Sequence, residues 1–515
     1  MKFCVSFVFV IFLTYVQSAR ILGVYPFPAH SHYALGNAIF KALAKQGHQV
    51  TVISPYKEKN PPQNYKQILV DGMVEKAKSM KASLFDNINF NVLQNVLFLD
   101  GMGFKFTELA LEEPNIKKFL QEEHHFDVVI IHQFMSEAYT GFCHHFNAPC
   151  VAVISMTAPS LSNRYAGNPG PPSYVPQLHV NFPAKMNFFQ RCYNSLSYLI
   201  TELSYYYYAR PKQNKILQKH FPNAPHLDEL SYNFSLLLVN SHVSITDVSP
   251  TLPNVIHIAG AHIEESRPLP SDVQEFLDNA KNGAIFFSMG SNLKSKDLPI
   301  DKLNALLNVF STLKQKVLWK WEDEGMENKP ANVMTRAWFP QHDILAHPNV
   351  VLFITHGGLM STIEAVHNGV PVLGIPVFSD QGLNMIRAEL AGYGKYIFYK
   401  DLNENIFQST VIEMLSNPRF KENAMTRSKI MKDQVVKPID NAVFWIEYVL
   451  RHRGAPHLKS AAVNLTWYQY SLLDVIGFAL LVSVTFMLIV KMAMKKVCQL
   501  FCATKRKERK KKKQK

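Results

Sequence analysis

ILGVYPFPAHSHYALGNAIFKALAKQGHQVTVIS, residues 21–54, changes its periodicity twice. The apolar run Ile21–Tyr25 is strand-like. After a proline-containing loop, apolar residues at Ile39 and Leu43 recur at helical spacing, and QVTVIS (49–54) returns to an unbroken β-prone run. Strand, helix, strand within about 34 residues is the opening of a parallel sheet, because parallel neighbours need a crossover that a helix supplies. FDVVIIHQF (126–134) and PCVAVIS (149–155) are further near-continuous apolar runs, as strands covered on both faces require. Between about 160 and 225 the pattern breaks into Pro, Asn, Phe and Tyr, with PGPPSYVP at 169–176 and YYYYAR at 205–210. That segment reads as an insertion rather than scaffold, and its aromatics as a candidate lining for an apolar pocket.

A second series begins near residue 283. GAIFFSMGSN (283–292), QKVLWKWE (315–322), VVLFITHGG (350–358) and GVPVLGIPVF (369–378) are strands separated by helical or loop segments, and ESRPLPSD (265–272) reads as the linker. The expected fold is α/β: two doubly wound Rossmann-like domains, at 20–262 and 273–450. The ligand cleft is expected between them, beyond the carboxyl ends of the strands.

The formal charge of +14 suggests nucleic acid until it is located. Twelve of the basic residues and one acid lie between Lys491 and Lys515, so the remainder is nearly balanced and no nucleic-acid partner is expected. That basic tail (493–515) follows VIGFALLVSVTFMLIV at 475–490, the centre of an expected single transmembrane helix over 472–492. Trp467, Tyr468 and Tyr470 precede it and lysines follow, which predicts a cytosolic tail. Residues 1–19 read as a cleavable secretory signal, placing 20–470 in a lumen as a single-pass type I chain. Sequons stand at Asn233 and Asn464. The terminal Lys512, Lys513, Gln514, Lys515 resembles a dilysine retrieval signal, so the endoplasmic-reticulum membrane is the expected location. Cys143, Cys150 and Cys192 are the luminal cysteines, enough for one bridge and one free thiol, and no Cys/His spacing suits zinc.

THGG (355–358) ends an apolar run and opens a helical stretch, where backbone amides and the helix dipole favour a phosphate. With its flanks, WFPQHDILAHPNVVLFITHGGLMSTIEAVHNGVPVLGIPVFSDQGLN (338–384), it resembles the signature of the UDP-glycosyltransferases, and GGLMSTIEAV is most similar to insect members. Trp338, Gln341, His356, Gly358, Glu364, Asp380 and Gln381 carry the resemblance. It implies a GT-B fold and donor roles. Trp338 would stack on uracil and Gln341 meet its polar edge or the ribose. His356, Gly358, Ser361 and Ser291 would serve the diphosphate, Glu364 the ribose hydroxyls, and Asp380 with Gln381 the sugar. Vertebrate members carry asparagine where this chain has Met360, a donor that Ser361 is expected to replace.

The resemblance also implies that His32, sixteen residues before His48, is the general base. It would take the proton from an acceptor hydroxyl as that oxygen attacks the anomeric carbon, with inversion. His30 is its neighbour and competitor. The family's aspartate beside the base is His132 here, which cannot supply a carboxylate's charge; Glu137 and Gln133 are the nearby substitutes to consider. No Asp-x-Asp occurs, so metal-independent transfer without a cofactor is expected, the UDP-sugar being a co-substrate. The expected activity is transfer of a hexose, glucose before glucuronate, to a small lipophilic acceptor. The alternative is a non-catalytic UDP-sugar binder that regulates active relatives; a nicotinamide enzyme is excluded by the missing Gly-x-Gly-x-x-Gly turn. Homo- or hetero-oligomerisation is left open.

Overall fold

A computed structural model of the protein describes residues 18–81, 90–157, 160–323 and 325–512. The expected signal segment up to residue 17 and the last three residues of the dilysine pattern lie outside the described residues. The chain divides into a compact unit reaching Lys459 and a second beginning at Ser460.

The compact unit contains two parallel sheets. In the first, β1 (Arg20–Val24), β2 (Gln49–Ser54), β3 (Tyr65–Leu69), β4 (Val128–His132), β5 (Cys150–Ile154), β6 (Phe234–Val239) and β7 (Val255–His257) lie in the order β3-β2-β1-β4-β5-β6-β7. In the second, β8 (Ala284–Ser288), β9 (Lys316–Lys320), β10 (Val333–Arg336), β11 (Val350–Thr355), β12 (Val372–Gly374) and β13 (Gly394–Tyr396) lie in the order β10-β9-β8-β11-β12-β13. β4, β5, β6 and β8 are buried at every position, which is why they read as continuous apolar runs. Each sheet reverses its strand order once, between β1 and β4 and between β8 and β11.

The opening stretch folds as its periodicity predicts, with a helix at His30–Lys45 burying Leu35, Ile39, Phe40 and Leu43. Gly36 lets that helix lie close on the sheet: a Cβ there would come within 2.3 Å of the Tyr25 ring. The helix Pro438–Arg451 follows the second sheet in sequence but packs on the first, where Ala442, Val443 and Ile446 join the cluster containing Ile21 and Ile39.

The segment 160–225 is not merely an insertion. Tyr165, Tyr205, Ala209, Leu217 and Phe221 belong to the core beneath the first sheet. The tyrosine run forms a single π-helical turn, Tyr205–Ala209, that buries Tyr205 and leaves Tyr207 exposed. Cys143 and Cys150 form a disulfide from the helix Thr140–His145 to the start of β5, and Cys192 is free and exposed.

In the second unit a helix runs Leu473–Lys512. Its portion Leu473–Lys507 is long and apolar enough to cross a membrane, with a window of mean hydropathy 2.5.

Candidate active site

Both points of strand reversal open onto one cleft of about 350 Å³. His32 follows β1, His132 ends β4, Ser291 follows β8 and His356 follows β11. The cleft wall carries His32, Ser291, Trp338, Gln341, His356, Gly358, Ser361, Glu364, Asp380 and Gln381, so ten of the eleven residues singled out in the sequence are brought together. His132 is the exception and stands behind the wall, against His32.

The residues expected on the donor side form a connected frame. Gln341 donates from Nε2 to Glu364 Oε2 at 2.8 Å and to Ser361 Oγ at 3.1 Å, tying the segment after β10 to the helix Leu359–His367. Trp338 is 57% exposed on the cleft wall, with the His30 ring against it at 5.2 Å between centroids. Thr355 Oγ1 lies 3.3 Å from His356 Nδ1. Burial, with Lys320 adding to it, lowers the His356 pKa to about 4, so the ring stays neutral at physiological pH and donates rather than carrying charge. Gly290, at φ +81°, makes room for that ring: a Cβ there would fall 2.4 Å from His356 Cε1.

Two expected sugar-side residues are partly engaged by their own loop. Asp380 is buried and accepts from Asn384 Nδ2 at 2.9 Å, and burial raises its pKa. Gln381 accepts from the amides of Val377 (2.8 Å) and Phe378 (3.2 Å), holding the turn before the helix Gln381–Leu390. Met360 turns its sulfur to Asn240 Nδ2 at 3.1 Å, a contact between the two sheets' halves where a phosphate donor was expected to be missing. Ser361 Oγ already accepts from Gln341 and retains its hydroxyl proton for a ligand.

On the other wall, His32 Nδ1 lies 2.9 Å from His132 Nε2. His132 is 1% exposed, and burial, with His32 adding to it, lowers its pKa well below the ordinary histidine value. It is therefore a neutral partner. Glu137 does not turn towards the base: it is buried and accepts from Tyr165 OH at 2.7 Å. Apolar surface comes from Phe27, Leu99, Met102, Phe106, Phe134 and Met156. Among the described residues the segment 160–225 contributes nothing to this lining: Tyr165 and Tyr205 pack into the core, while Tyr193 and Tyr207 are exposed.

One feature of the site was missed in the sequence. His262, in the linker after β7, is 7% exposed, has no hydrogen-bond partner at either ring nitrogen, and sits 3.5 Å from Glu364 Oε1. Lys320 Nζ, one of the cleft cations, is held by Glu322 Oε1 at 2.8 Å and by the Gly290 carbonyl at 2.9 Å. His262 stands in no recognisable spacing, since its place beside Glu364 depends on segments distant in sequence.

Residues 21–511 match the family described as UDP-glucoronosyl and UDP-glucosyl transferase. UDP-glucosyltransferase 2 of Dactylopius coccus is 36% identical over 514 residues, covering 98% of each chain. UDP-glucuronosyltransferase 2B33 of Macaca mulatta is 30% identical over 497 residues, covering 92% of this chain and 91% of the other. Among solved structures, a UDP-glucose: anthocyanidin 3-O-glucosyltransferase in complex with UDP superposes with a TM-score of 0.57 at 15% identity, covering 85% of this chain and all of that one, a likeness of GT-B fold. With a match over residues 21–511 and this coverage by relatives, the chain belongs to the UDP-glucuronosyl and UDP-glucosyl transferase family and is a UDP-glycosyltransferase, an enzyme that moves sugar from a UDP-sugar.

Proposed function

We propose that the enzyme transfers glucose, with inversion and without a metal, from UDP-glucose to a hydroxyl of a small lipophilic acceptor. The observation that carries the reading is the cleft itself, with His32 on an apolar wall opposite the frame of Gln341, Ser361 and Glu364. His32 takes the acceptor proton on Nε2 while the acceptor oxygen forms its bond to the anomeric carbon. The bond from that carbon to the β-phosphate oxygen breaks, and UDP leaves on the opposite face. Its new charge meets the neutral His356 N–H, the Ser291 and Ser361 hydroxyls and the amides opening the helix Leu359–His367. Trp338 stacks on uracil, Glu364 receives the ribose hydroxyls, and Asp380 with Gln381 faces the sugar.

Glucose is favoured over glucuronate for two reasons. Lys320 is already paired with Glu322, which leaves less cationic field for a uronate carboxylate. The 36% identical Dactylopius relative bears the name of a glucosyltransferase. The neutral His132 gives the base no carboxylate, so acidic hydroxyls such as phenols are the preferred acceptors. The helix Leu473–Lys507 anchors the enzyme in the endoplasmic-reticulum membrane with its catalytic unit luminal, a compartment consistent with the Cys143–Cys150 bridge.

Membranes containing the full chain are incubated with labelled UDP-glucose or UDP-glucuronate and a panel of phenols and alcohols. Transfer from UDP-glucose that disappears in His32→Ala and Asp380→Ala is the expected result. Transfer only from UDP-glucuronate overturns the donor assignment. Donor binding without transfer to any acceptor favours the non-catalytic alternative.

A further inference from the structure

The helix Phe188–Ser204 is amphipathic in the wrong sense for a soluble surface. Its buried residues are Asn194, Ser197, Thr201 and Ser204. Two of them are held by the segment 172–177: Asn194 accepts from the Gln177 amide at 2.8 Å and donates to the carbonyls of Pro172 (2.7 Å) and Val175 (2.9 Å), while Thr201 Oγ1 accepts from Gln177 Nε2 at 3.0 Å. At 3.6 residues per turn the opposite face carries Phe188, Phe189, Tyr193, Leu196, Leu199 and Leu203, all exposed. Phe189 is 80% exposed, and Tyr207 on the following turn is 82% exposed. Isolated exposed apolar residues need no explanation, but a continuous stripe of aromatic and leucine side chains along one helix does.

We propose that this stripe lies in the interfacial layer of a lipid bilayer, parallel to its surface. The helix is about 25 Å long and has a fully polar second face, so it suits lying in an interface rather than crossing a membrane. Phenylalanine and leucine beside tyrosine match the chemistry of the headgroup boundary, where amphipathic rings settle. The same chain supplies the bilayer. Residues 460–472 separate the compact unit from the apolar helix at Leu473 and reach on the order of 45 Å when fully extended, so an anchored chain keeps its folded unit within reach of lipid. The inference rests on the membrane-anchored reading of that helix.

The stripe also has a connection to chemistry. Ile200 of the same helix packs with Val92 and Val96 of the helix Val92–Glu112. That neighbour presents Leu99, Met102 and Phe106 to the cleft, so one layer of packing separates the proposed lipid contact from the acceptor wall.

Cys192 lies on the stripe, exposed and unpaired, and serves as the probe. The full-length enzyme, with its other unpaired cysteines replaced by serine, is labelled there with an environment-sensitive fluorophore and reconstituted in phosphatidylcholine vesicles. Parallel samples carry the label at Leu480→Cys in the apolar helix and at Lys281→Cys on a polar loop, each with Cys192→Ser. The expected result is a blue shift at Cys192 and several-fold quenching by a spin label placed near the headgroup, with no change at Lys281→Cys. Quenching at Leu480→Cys with an aqueous Cys192 overturns the inference and leaves the anchor intact. Absence of lipid contact at Leu480→Cys overturns the anchored reading itself. A blue shift at Cys192 that lipid quenchers do not touch, accompanied by self-quenching between labelled copies, assigns the stripe to a second copy and also overturns the inference.

Discussion

His32 Nδ1 and His132 Nε2 lie 2.9 Å apart, so the residue proposed as base is paired with a second imidazole rather than with a carboxylate. A neutral partner can fix the tautomer of His32 and accept from its cation, but it stabilises that cation less than a carboxylate's charge would. If His32 donates from Nδ1, His132 must carry its own proton on Nδ1, a buried atom with no hydrogen-bond partner. The productive tautomer therefore leaves an unpaired N–H, a cost of about 1–3 kcal/mol.

His132→Asp supplies the missing charge. Its expected effect is a rise of about tenfold in kcat/KM for aliphatic alcohols, with a smaller gain for phenols, because the more basic His32 depends less on acceptor acidity. His132→Ala is expected to lower kcat for both acceptor types with little change in donor KM. Rates across a series of acceptors of graded acidity check this; equal slopes in wild type and His132→Asp would refute the role of the pair.

Gly290→Ala tests the seat of His356. The added methyl would fall against the imidazole at 2.4 Å in a left-handed backbone position, so the ring must move. Loss of one well-placed phosphate donor, about 1.5–3 kcal/mol, corresponds to roughly 10- to 100-fold weaker UDP binding. Calorimetric titration with UDP measures it, and thermal unfolding separates the effect from misfolding.

pH dependence follows from two of the depressed histidines, His356 and His132. With its pKa near 4, His356 remains neutral from pH 5.5 to 8, so KM for the UDP-sugar is expected to stay flat over that range. Tightening as the pH falls through 6.5 would mean that an imidazolium binds the diphosphate. Stability has a definite sign. His132 has a folded pKa below its unfolded value, so the unfolded chain binds the extra proton first, and stability is full above about 6.5 and declines as the pH falls below it. Denaturant midpoints at pH 7.5 and 5.5 check this, and His132→Phe is expected to flatten the decline.

His262 beside Glu364 joins the linker after β7 to the proposed ribose site. His262→Ala is expected to reduce the preference for UDP over 2′-deoxy-UDP several-fold, as Glu364→Gln should do more strongly. Competition binding with the two nucleotides reads this out. A change in the affinity of both nucleotides alike would assign His262 to folding rather than to orientation of the carboxylate.

The strands that could be read in advance are those buried on both faces, where burial forces an unbroken apolar run: β1, β2, β4, β5, β8, β9, β11 and β12. YKQIL (β3), VMTR (β10) and GKY (β13) were missed because they end their sheets, where residues face solvent and keep polar side chains. VIH (β7) is a three-residue edge strand with no pattern to read. FSLLLV (β6), fully buried, carried the signal and was overlooked.

The sequence by itself determined the α/β class, the apolar carboxyl-terminal helix and the cluster from Trp338 to Gln381 that meets on one cleft wall. These are local properties: Trp338 to Gln381 span two adjacent strands, β11 and β12, with the short helices around them, and spacing along so compact a segment becomes spacing in space. Only the tertiary structure decided what pairs across the sheets. His132 meets His32 because β4 lies beside β1, with Ile131 opposite Val24. Glu137, five residues further on, faces away to Tyr165, and the aromatic segment after 160 goes to the core and to an exposed stripe rather than to the cleft. Strand order and the direction of each side chain are settled by burial and hydrogen bonding between distant segments, and no spacing along the chain encodes them.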